Sequence, residues 1–236
     1  MKEETIEKVK AETADWGYLA ELPDEADGFK LDREVHIHGD CYDLFTYENA
    51  TAHKSAAAYF HEETHEYKLR VTYGLISFCR IEYITHDFSE FEALLRKNFA
   101  ALLHDMAVFN PDTLSSIVRE KGILSWAFGQ KLPAQLEGFT RYVSPAEPEK
   151  ITNGSYVVLD YVAFELESSV TFYYNIYRDE FFGEARIWNI PDVNYTFDSR
   201  TLHEFEEKLQ AFLVPRLKEI RARAIADKDK VHYRYE

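Results

Sequence analysis

The sequence predicts an α+β fold of two pseudo-repeated antiparallel β-meander-plus-helix modules joined by a helical, Gly/Pro-rich connector. Three observations lead to this prediction. Aromatic residues make up 15% of the 236 residues, and such residues favour strands and bury large areas. Apolar and polar residues alternate in several runs, as they do on half-buried strands. A long amphipathic helix is predicted after each group of strands.

The chain divides by its patterns into four segments, which fold either as separate parts or as one compact domain. An N-terminal helix and arm covers 1–40, and a first β-meander plus helix module covers 41–106. The helical connector covers 107–153, and the second module covers 154–236. Within the first segment, Ile6 and Val9 predict a short helix, because apolar residues three apart share a helix face.

The first module contains the clearest strand pattern. VHIHGDCYDLFTYE is predicted to be extended, with a break at Gly39. YKLRVTYG alternates apolar and polar residues and forms a hairpin with LISFCRIEYITH around Tyr73 and Gly74. DFSEFEALLRKNFAALLHDM then forms an amphipathic helix, with Ser89 and Glu92 as a capping box.

The connector and the second module show the same kinds of signal. NPDTLSSIVREKG predicts a short helix that begins with the Asn110 cap. The runs SYVVLDYVAFELE, SVTFYYNIYR and FFGEARIWNI predict three strands, and 194–197 predicts a fourth short strand. The last helix begins at a capping box of Thr201 and Glu204, and Pro215 should kink it or divide it.

An internal repeat relates the two modules. The tripeptide EFE occurs at 90–92 and again at 204–206, which places Leu95 on Leu209 and Phe99 on Leu213. Upstream, YKLRVTYG and SFCRIEYI line up with SVTFYYNIYR and GEARIWNI. Chance is the alternative explanation, since amphipathic helices share their spacing. The predicted core consists of Phe91, Leu95, Phe99, Leu209, Leu213, Phe172, Ile176 and Ile187.

Charge and composition limit the classes of partner. The formal net charge is −15, from 42 acidic and 27 basic residues. Nucleic acids and anionic membrane surfaces recruit basic proteins, so we expect neither as a partner. The early acidic residues and the missing apolar run predict neither a secretory signal nor a transmembrane helix, so we expect a cytoplasmic protein. The sequence contains no Gly-rich phosphate loop, GxSxG elbow or CxxC pair, so we expect no cofactor.

HEETH, at residues 61–65, matches the His-Glu-x-x-His motif that holds zinc on one helix face in many hydrolases. The sequence departs from that family pattern, because Glu63 and Glu66 add charge around the second His and the longer metzincin form is absent. The alternation that starts at Tyr67 and the repeat, which sets HEETH opposite 163–169, predict a hairpin turn. A helix remains the alternative, based on the helix formers at 56–58.

HIHGD, at 36–40, is a second candidate metal motif. His36 and His38 share one face of a strand and could chelate an ion. The run resembles the His-x-His-x-Asp-His motif of metallo-β-lactamase-type hydrolases, but Cys41 stands where the last His belongs. We therefore assign no metal ligand, and whether His61 and His65 bind a metal also stays open.

The aromatic strands of the second module offer a binding face. Tyr173 and Tyr177 alternate with an apolar face, and Trp188 and Tyr195 are predicted to join them. Tyrosine and tryptophan are enriched at protein interfaces. The alternative is that helices cover both faces of the sheet and the hydroxyl groups only reach water.

Two functions are consistent with the sequence. The first is a non-catalytic protein that binds another protein as an inhibitor, antitoxin or immunity-type module, or forms a homodimer. The second is a metal-dependent hydrolase that uses His36 and His38 or the HEETH motif. IPDVNYTFDSRTLHEFEEKLQAF is similar to the strand–helix corner of HicB-type antitoxin modules. That likeness covers this corner alone and rests on turn and capping residues, so no family is assigned to the chain.

Overall fold

The computed structural model describes the backbone of residues 1–232 and the side chains of residues 1–228. The chain divides into two compact units, Met1–Phe109 (unit 1) and Asn110–Glu236 (unit 2). Within the described residues each unit has its own antiparallel sheet, and the two sheets have similar topology. The predicted mixture of helices and antiparallel strands is therefore confirmed.

Unit 1 combines one sheet with helices. The helices are α1 Glu3–Thr13, α2 Gly17–Glu21 and α3 Phe88–Ala107. The strands are β1 Glu25–Ala26, β2 Phe29–Asp32, β3 His36–His38, β4 Cys41–Asn49, β5 Lys54–His61, β6 Glu66–Tyr73 and β7 Ile76–Thr85. The strand order is β1-β2-β4-β5-β6-β7, and β3 pairs with β4 beside this path.

Unit 2 follows the same plan. Its helices are α4 Ser116–Glu120, α5 Ala127–Lys131 and α6 Leu202–His232, and short 3-10 helices span Pro111–Thr113 and Phe164–Leu166. Its strands are β8 Gln135–Leu136, β9 Phe139–Val143, β10 Glu149–Lys150, β11 Ser155–Ala163, β12 Ser168–Asn175, β13 Glu180–Ile187 and β14 Ile190–Val193. The order is β14-β13-β12-β11-β9-β8, with β10 on β11.

The central strands of the two units correspond residue by residue. Strands β4 and β11 begin at 41 and 155, β5 and β12 at 54 and 168, and β6 and β13 at 66 and 180, so each pair is 114 residues apart. A β-bulge interrupts β4 between Asp43 and Phe45 and interrupts β11 between Val157 and Leu159, at the same spacing. These features are compatible with two pseudo-repeated modules.

The predicted strand alignment of the repeat is wrong by one strand. YKLRVTYG is β6, and its counterpart in the other sheet is β13 rather than β12. Adjacent strands of a meander show the same alternation, so the pattern alone cannot select the partner strand. The EFE alignment offsets the two long helices by 114 residues. The structure has the same offset, because α3 begins at residue 88 and α6 at residue 202.

Each long helix covers one face of its own sheet. In unit 1, the rings of Tyr67 and Phe91 stack at 5.5 Å, and Phe99 of α3 packs edge-on against Phe45. In unit 2, Phe205 of α6 contacts both Phe172 and Phe181. Burying these aromatic side chains removes a large apolar area from water in each unit.

Most of the predicted core residues are buried, but they belong to two cores. Seven of them have exposures of 7% or less: Phe91, Leu95, Phe99, Phe172, Ile187, Leu209 and Leu213. Ile176 is the exception, because it lies half-buried in the turn after β12. The strand pattern was extended one residue too far at this end.

Several predicted boundaries are corrected. The α3 helix is capped by Asp87, whose side chain accepts the Glu90 N–H, and not by Ser89. The predicted cap at Thr201 is confirmed, since its hydroxyl accepts the Glu204 N–H. Pro215 lies inside α6 without dividing it. Residues 194–197 form no strand, and they lie between β14 and α6.

Most of the segment predicted as a connector, residues 110–153, is part of unit 2. The predicted helix at 110–122 is broken into the 3-10 helix Pro111–Thr113 and α4. Further along, β9 pairs with β11 and β8 pairs with β9, so the second half of the segment extends the sheet. In unit 1 the arm plays the equivalent part, because β2 pairs with β4.

A tryptophan fixes the helical arm to the long helix in both units. Trp16 Nε1 donates to Glu92 of α3 at 3.0 Å, and Trp126 Nε1 donates to Glu206 of α6 at 2.8 Å. Hydrogen bonds to a charged acceptor are among the stronger ones in proteins. The paired tryptophans are 110 positions apart, at 16 and 126, and this signal for the repeat is present in the sequence.

Candidate functional site

HEETH is a hairpin turn. His61 is the last residue of β5, Glu66 is the first residue of β6, and the two are cross-strand partners. His65 adopts a left-handed backbone conformation with φ of 54°, which a helix does not contain. The turn prediction is therefore confirmed, and the helical alternative is wrong.

The glutamate that would serve as general base in a zinc hydrolase has a structural role here. Glu62 Oε1 accepts the backbone N–H of Lys2 at 2.7 Å, at the start of α1. That hydrogen bond is the main cause that lowers the pKa of Glu62. The carboxylate thus stays ionised and engaged with the first turn of a helix, where negative charge is favourable.

The two histidines of HIHGD lie on β3 and have different partners. His36 Nε2 is 2.9 Å from Asp32 Oδ2, and this contact is the main cause that raises the pKa of His36. His38 Nδ1 is 3.7 Å from Asp43 Oδ2. The two imidazoles are therefore engaged with different carboxylates, and metal binding by His36 and His38 together stays an open question.

The sheet brings both histidine motifs to the same place around Cys41. On β3, His38 is the cross-strand partner of Cys41, and on β5, His61 is the partner of Cys41 from the other side. Directly opposed residues of antiparallel strands project their side chains from the same face. His38, Cys41 and His61 thus form a row across three adjacent strands, which we call the His–Cys–His row.

A hydrogen-bonded network of charged and aromatic groups borders the row. Arg70 of β6 donates to Asp43 Oδ2 at 2.9 Å, and its guanidinium lies 5.0 Å from the centre of the Tyr59 ring. The hydroxyl of Tyr59 is 2.8 Å from Cys79 Sγ. Asp43 is 6% exposed, and its Oδ1 has no hydrogen-bond partner in the described part of the chain.

Cys41 has the environment of a protonated thiol. Burial is the main cause that raises its pKa, and Asp43 adds to that effect, while Arg70 opposes it. Reactive cysteines have a lowered pKa, because the thiolate is the nucleophile. Cys41 and Cys79 are both free thiols.

A second group of ligand-type side chains lies nearby on the exposed surface. Asp32, Glu34 and His36 each have one ligand atom within 4.8 Å of the others. The Asp32 carboxylate already accepts the Glu34 N–H and contacts His36. An ordinary loop ion pair accounts for this arrangement.

A cleft lies beside this group, between the arm and the C-terminal end of β4. Its volume is about 290 Å³, and its lining consists of Gly28, Lys30, Leu31, Asp32, Glu48, Asn49, Ala50 and Thr51. Lys30 and Glu48 are cross-strand partners. Asp32 and Glu48 are both exposed, so the cleft carries more negative than positive charge.

The predicted aromatic binding face is split by the structure. Tyr173 is 4% exposed on β12, and Trp188 is 8% exposed and donates from Nε1 to the Ala224 carbonyl of α6. Tyr177 and Tyr195 are each 79% exposed and lie in two different connecting segments. A binding role for these two exposed tyrosines stays a prediction.

Sequence patterns alone did not identify the His–Cys–His row or its Arg70 network. The row depends on which residues of three strands face one another, and that register is a property of the folded sheet. The signal that could have found it is the short connection between β3 and β4, which places His38 and Cys41 on either side of a tight turn at Gly39.

Comparison of the chain with protein-family models, with curated proteins and with solved structures gives no match. No helix in the described part of the chain combines the length and the apolar composition needed to cross a membrane.

Proposed function

We propose that the protein is a non-catalytic binding module whose acidic unit 1 binds a basic protein. The observation that carries the proposal is the uneven distribution of charge. Residues 1–109 contain 22 Asp and Glu against 11 Lys and Arg, whereas residues 110–236 contain 20 against 16. The net charge of −15 is therefore −11 in unit 1 and −4 in unit 2.

The acidic charge is densest in the first part of unit 1. Residues 1–50 hold 14 acidic and 5 basic side chains. Complementary charge accelerates the association of two proteins. Like charges that face each other across an interface disfavour acidic partners. A basic protein surface is the partner that this distribution favours.

The cleft beside β4 gives the proposed interaction a centre. Asp32 and Glu48 face it against the single ammonium group of Lys30, and they leave a net negative charge in a concave surface. Hydrogen bonds to the Glu34 N–H and to His36 lower the pKa of Asp32, so this carboxylate is ionised at neutral pH. A lysine or arginine side chain of the partner would be attracted there.

The contacts of the candidate catalytic groups support a non-catalytic role. Glu62 holds the start of α1, and Cys41 has the raised pKa of a protonated thiol. The alternative function, a metal-dependent hydrolase, would have to use His36 and His38 on β3, because HEETH forms a hairpin turn and not a zinc-binding helix.

The test is capture of a partner from an extract of the native host with immobilised protein, compared between two matched variants. The double variant Asp32→Asn/Glu48→Gln removes two charges from the cleft. The control Glu120→Gln/Glu207→Gln removes two charges from exposed positions of unit 2.

We expect the wild type and the unit 2 control to retain the same basic protein, identified by mass spectrometry. The cleft variant should lose it, and added salt should release it because screening is strong beyond about 10 Å at 0.1 M ionic strength. Repeated captures without any basic partner would refute the proposal. Equal retention by the cleft variant would show that the interaction lies elsewhere.

A further inference from the structure

We propose that the His–Cys–His row binds a transition-metal ion of the Zn²⁺ type. The proposal is independent of the acidic cleft and of partner binding. It rests on the register of three neighbouring strands, which brings two imidazoles and one thiol, the ligand types that zinc prefers, onto one sheet face.

The spacing of the row suits one ion. Adjacent strands lie about 4.8 Å apart, so an ion bound to Cys41 Sγ at about 2.3 Å is about one strand spacing from His38 on one side and His61 on the other. An imidazole with a metal–nitrogen bond of about 2.0–2.1 Å covers that distance. Three protein ligands leave the fourth tetrahedral position for water or another ligand.

Unit 2 shows that side chains at these positions do meet. The counterparts of Cys41 and His61 are Ser155 and Asn175, each 114 residues later and likewise cross-strand partners. Asn175 Nδ2 donates to Ser155 Oγ at 2.8 Å. The same strand geometry in unit 1 therefore allows the His61 ring and the Cys41 thiol to bind one metal ion.

Each histidine can offer its Nε2. His61 is held through Nδ1, which lies 3.0 Å from Thr64 Oγ1. His38 Nδ1 lies 3.7 Å from Asp43 Oδ2, which is too long for a hydrogen bond, but a carboxylate at that side can orient a metal-binding histidine once the ring rotates toward it. The His38 Nε2 is 3.5 Å from Arg70 Nη1, and the metal would take the place of that long contact.

Binding requires rotation of the side chains of the row. Among the described residues, the ligand atoms of the row do not all lie within 4.8 Å of one another. The His38 and Cys41 side chains are accessible to solvent, so rotation about their side-chain bonds is open to them. Arg70 also interacts with the Cys41 thiol, so it must leave both His38 and Cys41, and its hydrogen bond to Asp43 can hold it beside the site.

The experiment is titration of the chelator-treated, full-length protein with Zn²⁺ by calorimetry, followed by the absorption spectrum of the Co²⁺ form. We expect one Zn²⁺ ion to bind per protein molecule, and we expect the Co²⁺ form to show a thiolate-to-cobalt charge-transfer band. The variant Cys41→Ser/His61→Asn copies the pair that unit 2 carries at the same positions, which makes it a conservative test of the ligands. It should lose more than about tenfold in affinity, the lower end of the loss when even outer groups of a metal site are removed.

Two further variants separate this site from other zinc ligands. Cys79→Ser removes the other thiol, and His36→Asn breaks the exposed group with Asp32 and Glu34. Both should bind Zn²⁺ and give the cobalt band as the wild type does. Circular dichroism is used to check that each variant is folded. The proposal is overturned if no stoichiometric Zn²⁺ binds, if the Cys41→Ser/His61→Asn variant binds as well as the wild type, or if His36→Asn abolishes binding.

Discussion

Asp160 is a fully buried carboxyl group in the sheet of unit 2, and its ionisation should control how the stability of that unit depends on pH. It lies on β11 with 0% exposure. Thr171 Oγ1 donates to its Oδ1 at 2.8 Å, while Oδ2 has no hydrogen-bond partner in the described part of the chain. Burial raises the pKa of Asp160 to about 7, against weaker lowering effects from Thr171 and Arg186.

The size of the effect follows from that pKa. An aspartate in an unfolded chain has a pKa of about 3.9, so the shift is about 3 units and corresponds to about 4 kcal/mol. The folded state holds the proton more tightly than the unfolded state. The stabilisation is therefore complete below about pH 4 and is lost as the pH rises to about 7. About 2 kcal/mol of this loss falls between about pH 5.5 and pH 8.

The perturbation is Asp160→Asn, which keeps the shape and the acceptor for Thr171 but stays neutral at every pH. The unfolding free energy is measured with urea at about pH 5.5 and about pH 8, in a Trp16→Phe background. The remaining tryptophans, Trp126 and Trp188, both report on unit 2. We expect the variant to gain about 2 kcal/mol on the wild type when the pH is raised over this range.

The difference between the two proteins is the decisive quantity, because all other titrating groups are common to both. Equal changes in unfolding free energy with pH would refute the reasoning and would mean that Asp160 is ionised in the folded protein throughout. A wild type that gains on the variant as the pH rises would also refute it. A constant offset between the two curves has no bearing, since it reflects the amide group.

Three further predictions concern local structure. Glu206→Ala should destabilise unit 2 by about 1–3 kcal/mol in urea unfolding, because Trp126 Nε1 loses a charged acceptor. Gly129→Ala should cost about 1–3 kcal/mol in the same assay, since the new Cβ would lie 2.2 Å from the Trp126 ring. Gly17→Ala, in the short helix α2, is the control for an added methyl group, because its Cβ would meet only Glu21 Oε1 at 4.0 Å. His65→Gly should stabilise unit 1 by up to about 1 kcal/mol, because His65 has a positive φ that glycine adopts without strain; a loss of stability would contradict the turn geometry of HEETH.

The elements of this fold could be predicted because they depend on neighbours in the chain. Alternation at 67–73 indicates β6, and the apolar stripe through Phe91, Leu95 and Phe99 indicates α3. Capping at Thr201 needs only the residue three positions later. These patterns have periods of 2 and 3.6 residues, so a short window contains them.

The candidate site could be predicted only in part. The sequence selected His36, His38 and HEETH as unusual, and it placed HEETH in a turn. The sequence aligned β6 with β12 of the other module instead of β13. It also placed Tyr173 and Trp188 on a binding face, whereas both side chains are buried. The alignment of the modules depends on strand order, and burial depends on which layers cover the sheet. An alternating pattern does not encode either property, because several strands share the same pattern.

The sequence by itself determined the helices α1, α3 and α6, the central strands of each meander, the acidity and the turn at HEETH, because each of these depends on composition or on residues close together in the chain. Only the tertiary structure decided that His38 and His61 flank Cys41, that Arg70 reaches Asp43, and that Asp160 is buried with no hydrogen-bond partner for Oδ2 among the described residues. The physical reason is that cross-strand register and burial come from pairing residues distant in the chain, and one residue of slip would turn each of these side chains to the other face.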